Sequence, residues 1–280
     1  MGDRARVWLI TGVSSGFGRE LAKAALARGE IVAGTVRRLA QIDEFRALAP
    51  GRCHAYQLDV TAAATIPDVV ASVMRDTGGI DVLVNNAGYG LIGAAEETSD
   101  VETRQLFETN FFGLLNVTRA VLPYMRAASH GHIVNFSSLA GIMGLAGCSL
   151  YCSTKFAVEG LSEALAGELA PFGIKVTIVE PGGFRTDFAG RSIVMPARVL
   201  AEYAGTPAAK ARAHMSSYRG NEPGDPVKAA HAILQAVDSN TPPLRLVLGP
   251  DALRVGRAKL ASLAQNYDAW EQVSSSTNAT

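Results

Sequence analysis

A tyrosine and a lysine four residues apart have the residue types and the spacing for proton transfer. Tyr151 and Lys155 lie at the start of a predicted helix, where residues i and i+4 share one face. A lysine ammonium beside a phenol favours the phenolate and lowers the phenol pKa from about 10. Such a tyrosine can give a proton to a carbonyl oxygen or take one from an alcohol. The same spacing also fits an ordinary surface pair on a helix.

A serine hydroxyl is expected near this pair. Ser138 follows the predicted strand His132–Phe136 and precedes Tyr151 by 13 residues. Catalytic groups in open α/β sheets gather at the carboxyl ends of the strands, which is where Ser138 would lie. A hydroxyl at that edge can hydrogen-bond a substrate oxygen and orient the substrate for hydride transfer. Helix capping or turn formation is the alternative role of Ser138.

A glycine-rich turn follows the first predicted strand and opens the first predicted helix. Its sequence is Thr11-Gly12-Val13-Ser14-Ser15-Gly16-Phe17-Gly18. Glycines permit a tight turn and let backbone N–H groups approach a pyrophosphate, which also meets the positive end of the helix dipole. The spacing is GxxxGxG rather than the more common GxGxxG. A glycine turn that serves only packing is the alternative.

The end of the second predicted strand indicates which dinucleotide would bind. An NAD site usually places Asp or Glu about 20 residues after the glycine turn, on the adenosine ribose 2′-hydroxyl. This chain has Val36 there, followed by Arg37 and Arg38. A guanidinium can bind a 2′-phosphate with two hydrogen bonds, whereas a carboxylate would repel it. NADP(H) is therefore favoured over NAD(H). A solvated basic pair is the alternative, although cations are unfavourable near a helix N-terminus.

Seven short strand-like runs alternate with helical stretches along the chain. Several are continuous runs of Val, Ile and Leu type, which indicates strands buried on both faces of a parallel sheet. The alternation indicates right-handed βαβ crossovers and an α/β fold with a doubly wound sheet. The predicted strands are Arg6–Thr11, Ile31–Val36, Ala55–Leu58, Asp81–Asn85, His132–Phe136, Lys175–Glu180 and Arg245–Leu248.

Length and composition limit the class of protein. The 280 residues, 48% of them hydrophobic, predict one large globular domain over residues 1–280. Basic and acidic side chains number 26 each, and this balance argues against a nucleic-acid partner and against disorder. Cys53, Cys148 and Cys152 are too few for a disulfide framework, and no pattern indicates a metal site. Because no apolar run is long enough for a signal peptide or a membrane span, we expect a cytoplasmic protein without a membrane partner.

Two segments depart from the alternation of strands and helices. Residues from about 187 to 224 include Pro196, Pro207 and Pro223, and we expect an irregular flap with short helices on the substrate side of the site. Residues from about 272 to 280 are rich in Ser, Thr and Asn, and we expect a frayed tail there.

Seven motifs follow one another in a fixed order between residue 7 and about residue 190. They are Thr11–Gly18, Asp59-Val60, Asn85-Asn86-Ala87-Gly88, Asn110, Ser138, Tyr151-Cys152-Ser153-Thr154-Lys155 and Pro181-Gly182. In this order they resemble the motifs of the short-chain dehydrogenase/reductase family. The resemblance implies a three-layer αβα Rossmann fold with a seven-stranded parallel sheet, and a reaction between a carbonyl and an alcohol.

The resemblance also implies roles for single residues. Tyr151 would be the general acid/base, Ser138 would polarise the substrate carbonyl, and Lys155 would tune Tyr151 and bind the nicotinamide ribose. Asn110 would fix a water in a proton relay with the lysine. The implied cofactor contacts are Gly12, Ser14, Ser15, Gly16, Phe17 and Gly18 at the diphosphate, Asp59 and Val60 at the adenine, Asn86, Ala87 and Gly88 along the cleft, and Pro181, Gly182, Phe184 and Thr186 at the nicotinamide.

Several of these residues also have a purely structural alternative. Asp59 could cap a helix before Thr61, and Asn86 could shape a turn. Asn110 lies in an apolar run and could be a hydrogen-bonded core residue. Since the motifs occur as an ordered set, we favour the functional role for each of them.

The predicted function is hydride transfer between NADP(H) and a ketone, an aldehyde or a secondary alcohol. A non-catalytic NADP(H)-binding sensor or scaffold is the alternative, although it has no evident need for a proton donor. Epimerisation or dehydration of nucleotide sugars is disfavoured by the short chain and the GxxxGxG spacing. An apolar pocket wall, which would suit an aliphatic or aromatic ketone, is expected from Met143, Leu145, Leu150, Phe188 and Met195. By analogy with the family, we expect a homodimer or homotetramer formed through the long helices at 101–126 and 152–170.

Overall fold

Strands from both ends of the chain build one sheet. The computed structural model describes residues 4–218 and 220–279. Seven strands form a parallel sheet in the chain-number order 3-2-1-4-6-7-9, and two short strands, the fifth and the eighth, form a separate parallel pair. In chain order the strands are β1 (Val7–Thr11), β2 (Ile31–Val36), β3 (Cys53–Gln57), β4 (Val82–Asn85), β5 (Gly90–Leu91), β6 (Gly131–Phe136), β7 (Ile174–Pro181), β8 (Ile193–Val194) and β9 (Arg245–Leu248).

Helices cover both faces of the large sheet. A π-helical segment, Glu108–Gly113, joins the fourth helix to the fifth. In chain order the helices are α1 (Gly16–Ala27), α2 (Ile42–Arg46), α3 (Ile66–Thr77), α4 (Asp100–Phe107), α5 (Leu114–Ala128), α6 (Leu139–Ile142), α7 (Ser149–Leu169), α8 (Phe188–Arg191), α9 (Pro207–Tyr218), α10 (Pro226–Asp238) and α11 (Pro250–Ser275).

The alternation of side chains along β1 divides the core into two halves. Trp8 and Ile10 belong to the apolar cluster that includes α1 and α10, whereas Leu9 belongs to the cluster that includes α3, α5 and α7. Successive side chains of a strand point to opposite faces, so a strand covered on both faces must be apolar throughout. The three-layer fold and all seven predicted strands are confirmed, with strand bounds within two residues of the prediction.

Buried amides join the layers beneath the carboxyl edge of the sheet. The Asn85 side-chain amide donates to Thr118 Oγ1 on α5 and to Asn135 Oδ1 on β6, both at 2.9 Å. The Asn135 amide donates in turn to Ser162 Oγ on α7, at 2.9 Å. Buried polar groups are costly unless they are paired, so these bonds fix the positions of β4, β6, α5 and α7 relative to one another.

The two segments expected to be irregular have more regular structure than the sequence indicated. The flap at 187–224 contains α8, β8 and α9, and Arg219 lies outside the described residues. The predicted tail at 272–280 is corrected at its start, because α11 continues to Ser275. Good helix formers such as Ala264, Ala269 and Gln272 extend the helix further than the composition of the tail suggested. Thr280, and Met1–Asp3 at the other end of the predicted single domain, lie outside the described residues.

Candidate active site

Ser138 and Tyr151 meet where β6 ends. The Ser138 hydroxyl caps α6, since its Oγ accepts a hydrogen bond from the Ala140 N–H at 3.1 Å. The same side chain lies close enough to the phenol of Tyr151, in the first turn of α7, to lower the pKa of that phenol. The capping role and the functional role proposed for Ser138 are therefore compatible, and the cap holds the hydroxyl beside the phenol.

Lys155 lies one helical turn after Tyr151 and is buried. Its ammonium donates to the carbonyl oxygen of Phe136, the last residue of β6, at 2.8 Å. Its Nζ atom lies 5.8 Å from the centroid of the Tyr151 ring. The lysine thus ties α7 to the carboxyl end of β6 and places a positive charge beside the phenol.

The ionisation of the pair differs from the expected lowering of the Tyr151 pKa. Burial raises the pKa of Tyr151, and the nearby Ser138 hydroxyl opposes that shift. Burial also lowers the pKa of Lys155 to about 8, with Glu159 opposing the change. The physical reason is desolvation, which disfavours the charged form of both groups. The protein alone therefore favours a neutral phenol, the form that can donate a proton.

Asn110 occupies the π-helical segment between α4 and α5. Its Nδ2 donates to the Tyr89 carbonyl at 2.8 Å and to Thr154 Oγ1 at 3.2 Å, while its Oδ1 accepts from the Tyr89 N–H at 3.0 Å. Segments of π-helix occur frequently at functional sites. A Cβ at Gly88 would lie 3.1 Å from Asn110 Oδ1 and 3.8 Å from Lys155 Nζ. The absence of a side chain at Gly88 therefore leaves Asn110 and Lys155 open towards the loop after β4.

The glycine turn has the backbone geometry that its sequence predicts. Gly12 and Gly16 have φ angles of +74° and +60°, in the left-handed region that favours glycine. A Cβ at Gly18 would lie 2.5 Å from both Asn86 Nδ2 and the Gly12 carbonyl oxygen. Asn86 Nδ2 itself donates to the carbonyls of Thr11 and Gly12, both at 2.9 Å. Asn86 thus clamps the turn from the neighbouring strand, in addition to lining the cleft.

A cleft of about 990 Å³ runs along this edge of the sheet, across the reversal of strand order between β1 and β4. The first turn of α1 lines it, which offers backbone N–H groups and a positive dipole end to an anion. Volume, glycine backbone and helix terminus together fit a dinucleotide. The predicted cofactor residues that line the cleft are Gly12, Ser14, Ser15, Gly16, Phe17, Arg37, Arg38, Asp59, Val60, Asn86, Ala87, Gly88 and Thr186.

Phe184 follows β7 and packs beside the glycine turn. Its ring lies 5.1 Å from that of Phe17, within the core. Pro181 ends β7, and Gly182 faces the carboxylate of Asp251, with which its Cβ would overlap. Of the four residues expected at the nicotinamide, Thr186 lines the cleft, and the contacts of the other three with a nicotinamide stay a prediction.

At the adenosine end of the cleft, two exposed arginines follow β2. Arg37 and Arg38 line the cleft, while Val36 before them is buried. Asp59 also lines the cleft, and its Oδ1 accepts from the Thr61 N–H at 3.0 Å. The structural role considered for Asp59 is therefore present beside its place in the cleft. No carboxylate stands at the end of β2, as the sequence indicated.

Two contributors, Thr154 and Tyr89, had no role predicted from sequence, and a third was expected only as a pocket wall. Thr154 accepts from Asn110 and donates to the Tyr151 carbonyl at 2.8 Å. Tyr89 supplies the backbone that holds Asn110, and it lines the cleft. Phe188, which was expected only as a pocket wall, has its ring 5.9 Å from that of Tyr151. The position of Thr154 inside the motif was the available signal, since the motif places it between Tyr151 and Lys155.

Comparison with known proteins agrees with this geometry. The family model for short chain dehydrogenases matches residues 6–194. The chain belongs to the short-chain dehydrogenase family. This family member is 38% identical to Oxidoreductase BOA17 of Botryotinia fuckeliana, over 96% of this chain and 98% of that protein. It is 39% identical to a 3-ketodihydrosphingosine reductase of Bacteroides thetaiotaomicron, over 88% of each chain.

Solved structures of short-chain dehydrogenases superpose on the whole fold. One from Streptomyces avermitilis has a TM-score of 0.91 at 46% identity and covers 99% of this chain and 100% of its own. A serine dehydrogenase complexed with NADP+ has a TM-score of 0.74 at 29% identity, over 87% and 94% of the two chains. One from Burkholderia phymatum in complex with NAD shares the fold, with a TM-score of 0.82 at 24% identity, over 94% and 95%. The protein is thus a short-chain oxidoreductase. Among its structural neighbours, one was solved with NAD and another with NADP+.

Two absences hold for the described residues. Within residues 4–218 and 220–279, His, Cys, Asp and Glu side chains nowhere form a cluster of three suited to a metal ion. In the same part of the chain, each helix is too short or too polar to cross a membrane.

Proposed function

We propose that the protein is an NADP(H)-dependent carbonyl reductase that also runs as an alcohol dehydrogenase. The convergence of the Ser138 and Tyr151 side chains, beside the Lys155 ammonium, carries this proposal. Two hydroxyls that converge at the carboxyl edge of a sheet can bind one substrate oxygen and supply it with a proton. A binding module without chemistry has no use for this arrangement.

Each residue of the site has a role in this reaction. NADPH, when bound, supplies the hydride. Ser138 holds the substrate oxygen, and Tyr151 gives that oxygen its proton. Lys155 binds the nicotinamide ribose and favours the phenolate that Tyr151 leaves behind. Asn110, held by the Tyr89 backbone, positions a water that returns a proton through Lys155.

The preference for NADP(H) over NAD(H) rests on Arg37 and Arg38. Both line the adenosine end of the cleft, and no acidic side chain follows β2 to repel a 2′-phosphate. The loss of one charge-assisted hydrogen bond costs about 1.5–3 kcal/mol, which is about ten- to a hundred-fold in affinity. We therefore expect Arg37→Ala and Arg38→Ala together to lower kcat/KM for NADPH by about that factor and to leave NADH turnover unchanged.

An apolar ketone is the proposed substrate. Leu145, Leu150 and Phe188 pack with Tyr151 in one apolar cluster beside the proton donor. Met195, expected in the same wall, is exposed on the flap. The similarity to a 3-ketodihydrosphingosine reductase supports a ketone as the reacting group. A preference for charged, hydrophilic substrates in a turnover panel would contradict this substrate class.

Further predictions concern assembly and location. Exposed Phe112 and Tyr124 on the π segment and α5, and exposed Phe156 on α7, support a homodimer or homotetramer formed through these helices. A monomer mass in light scattering would contradict it. A cytoplasmic location without nucleic-acid or membrane partners stays a prediction from composition.

The deciding experiment measures NADPH and NADH oxidation with a panel of ketones and aldehydes. Loss of the general acid costs about 10²–10⁴-fold in rate, so Tyr151→Phe should lose that much of kcat while NADPH still binds. Tyr56→Phe is the matched control, because Tyr56 contacts Asp76 away from the site. Turnover that survives in Tyr151→Phe would refute the assignment of the proton donor. Tight NADPH binding without turnover of any substrate would favour the sensor or scaffold instead.

A further inference from the structure

The C-terminal helix leaves the body of the protein. Ala252 is the buried residue of α11, and the proximal half of the helix rests on α6 near Ile142. From Leu260 to Ser275 every side chain is exposed except Leu263, which is half-buried. Isolated helices of this length are marginal in water, so a free-standing half-helix lacks the tertiary packing that usually stabilises one.

An apolar stripe runs along the exposed side of α11. Leu260, Tyr267 and Trp270 are 68%, 72% and 61% exposed, and Leu253 is 43% exposed. With Leu263 they follow the spacing 7, 3, 4 and 3, which is the a/d pattern of a coiled-coil seam. We call these five residues the α11 seam. Single exposed apolar residues need no explanation, whereas a continuous seam on one helix face does.

Charges along α11 are divided between its two halves. The proximal half carries three basic residues, Arg254, Arg257 and Lys259, against the one acidic residue Asp251, and the distal half carries Asp268 and Glu271. Two antiparallel copies of such a helix would place each basic half against an acidic half. Antiparallel packing also opposes the two helix dipoles favourably.

We infer that the α11 seam binds the α11 seam of a second copy of this chain, with the two helices antiparallel. In one register Leu260 lies opposite the partner's Leu263, and Leu253 lies opposite the partner's Trp270. Both layers share the same centre, between residues 261 and 262, so a single two-fold axis generates them. The interface is separate from the face formed by α5 and α7.

The charge pattern distinguishes this occupant from a membrane surface. Helices that lie on anionic membranes carry an excess of Lys and Arg on the polar face. In α11 the three basic residues are balanced by Asp251, Asp268 and Glu271. The acidic pair also flanks Trp270, the side chain that would have to enter the lipid. A second copy would place opposite charges beside both halves of the helix, whereas an anionic membrane would repel the acidic distal half.

Sedimentation velocity of the full chain tests the inference, and it does not depend on enzyme activity. Leu260→Glu should halve the molar mass of the wild-type assembly, because it places a charge in the seam. Ala261→Glu is the matched control, since it adds the same charge at the next position on the outer face, and it should keep the wild-type mass. Equal masses for Leu260→Glu and the wild type would overturn the inference.

Charge reversal tests the antiparallel direction. Arg254→Glu should weaken the assembly, and Arg254→Glu combined with Glu271→Arg should restore it. In this register Glu271 lies opposite the partner's Ala252, within two positions of the partner's Arg254 on the same flank of the seam. Failure of the double variant to restore the mass would overturn the antiparallel arrangement. Phosphatidylcholine/phosphatidylserine vesicles supply the competing outcome. Sedimentation of the wild type with these vesicles, lost in Leu260→Glu and without any change of mass in solution, would assign the seam to a membrane instead.

Discussion

The glycine turn and the flap at 187–224 line the same cleft, but side-chain carboxylates hold part of the flap and none of the glycine turn. In the glycine turn, the N–H groups of Gly12 and Val13 donate to the Thr35 carbonyl, at 3.1 and 3.0 Å. In the flap, side-chain carboxylates accept from the backbone: Glu97 Oε1 from the Leu200 N–H at 3.1 Å, and Glu102 Oε1 from the Ala197 N–H at 2.9 Å.

The difference separates a part of the cleft that resists substitution from a part that depends on few side chains. Backbone hydrogen bonds persist through most side-chain changes, which suits a site for an unchanging cofactor. Backbone pairing with β5 also holds the flap at β8, so the loss of one or two carboxylates would displace mainly the segment 197–212. Substrate specificity can therefore change in the flap without disturbing the cofactor side, as loops on a rigid scaffold allow.

The largest expected effect comes from removing the main anchor of the flap. Glu97 is 1% exposed and accepts from the Ala94 and Leu200 N–H groups and from Arg212. Removing one partner of a buried ion pair costs about 3 kcal/mol or more. Glu97→Ala should lower the free energy of unfolding by about that amount, measured in urea, and raise KM for the carbonyl substrate.

A neighbouring residue supplies the control for this anchor. Glu96 is exposed and accepts from the Tyr203 hydroxyl of the same flap at 3.1 Å. Glu96→Ala should change stability by less than about 0.5 kcal/mol, as exposed contacts usually do. The dissociation constant of NADPH should stay the same in both variants. A loss of NADPH affinity in Glu97→Ala would show that the cofactor side of the cleft depends on the position of the flap.

Glu180 is a second buried carboxylate, and it sharpens the comparison. Its donor is the Arg245 guanidinium, whereas Glu97 also accepts from two backbone N–H groups. Burial would raise the pKa of Glu97, but the N–H donors and Arg212 lower it below its usual value. Burial raises the pKa of Glu180 from 4.5 to about 7, the nearby Glu159 raises it too, and Arg245 opposes both. Donors, rather than burial, thus decide which of the two carboxylates is ionised at neutral pH.

The Glu180 shift predicts how stability depends on pH. Between pH 4.5 and about 7 the folded chain binds more protons than the unfolded chain, so this contribution to stability falls as pH rises. The full shift corresponds to on the order of 3 kcal/mol. Glu180→Gln should remove this slope in urea unfolding measured from pH 5 to 8. Glu163→Gln, which removes an exposed partner of the same Arg245, should retain it, and a retained slope in Glu180→Gln would contradict the assignment.

The smallest expected change in stability tests the backbone-held side. A Cβ at Gly18 would lie 2.5 Å from Asn86 Nδ2 and from the Gly12 carbonyl, so Gly18→Ala must displace the clamp on the turn. Overpacking of this kind costs about 1–3 kcal/mol. We expect weaker NADPH binding by calorimetry and an unchanged flap by limited proteolysis. Gly79→Ala is the control, because nothing lies within 4 Å of its Cβ position, and it should behave as the wild type.

Sequence patterns predicted the elements and most of the cofactor cleft. Short apolar runs such as Val7–Thr11 predicted buried strands because turn residues bound them and helical stretches alternate with them, and a strand covered on both faces is apolar throughout. The glycine turn was also predictable. Gly12 and Gly16 have positive φ angles, and glycine is the residue type that adopts such angles without steric cost.

Residues whose environment depends on distant partners were predicted less well. Phe184 packs on Phe17, which precedes it by 167 residues, and no sequence pattern predicted this contact. The pKa of Tyr151 was expected to fall because of Lys155, but burial raises it, and burial depends on the helices and loops that surround the ring. Neither result follows from neighbours in sequence.

The sequence by itself determined the order of strands and helices, the turn that can accept a phosphate, and the set of side chains that can transfer a proton. These properties depend on residue type and short-range spacing. Only the tertiary structure decided which groups come into contact: Arg245 with Glu159 and Glu180, Glu97 with the flap, and Asn110 with Tyr89 and Thr154. Desolvation and pairing act between atoms that the chain brings together from far apart, so their outcome appears only once the layers have packed.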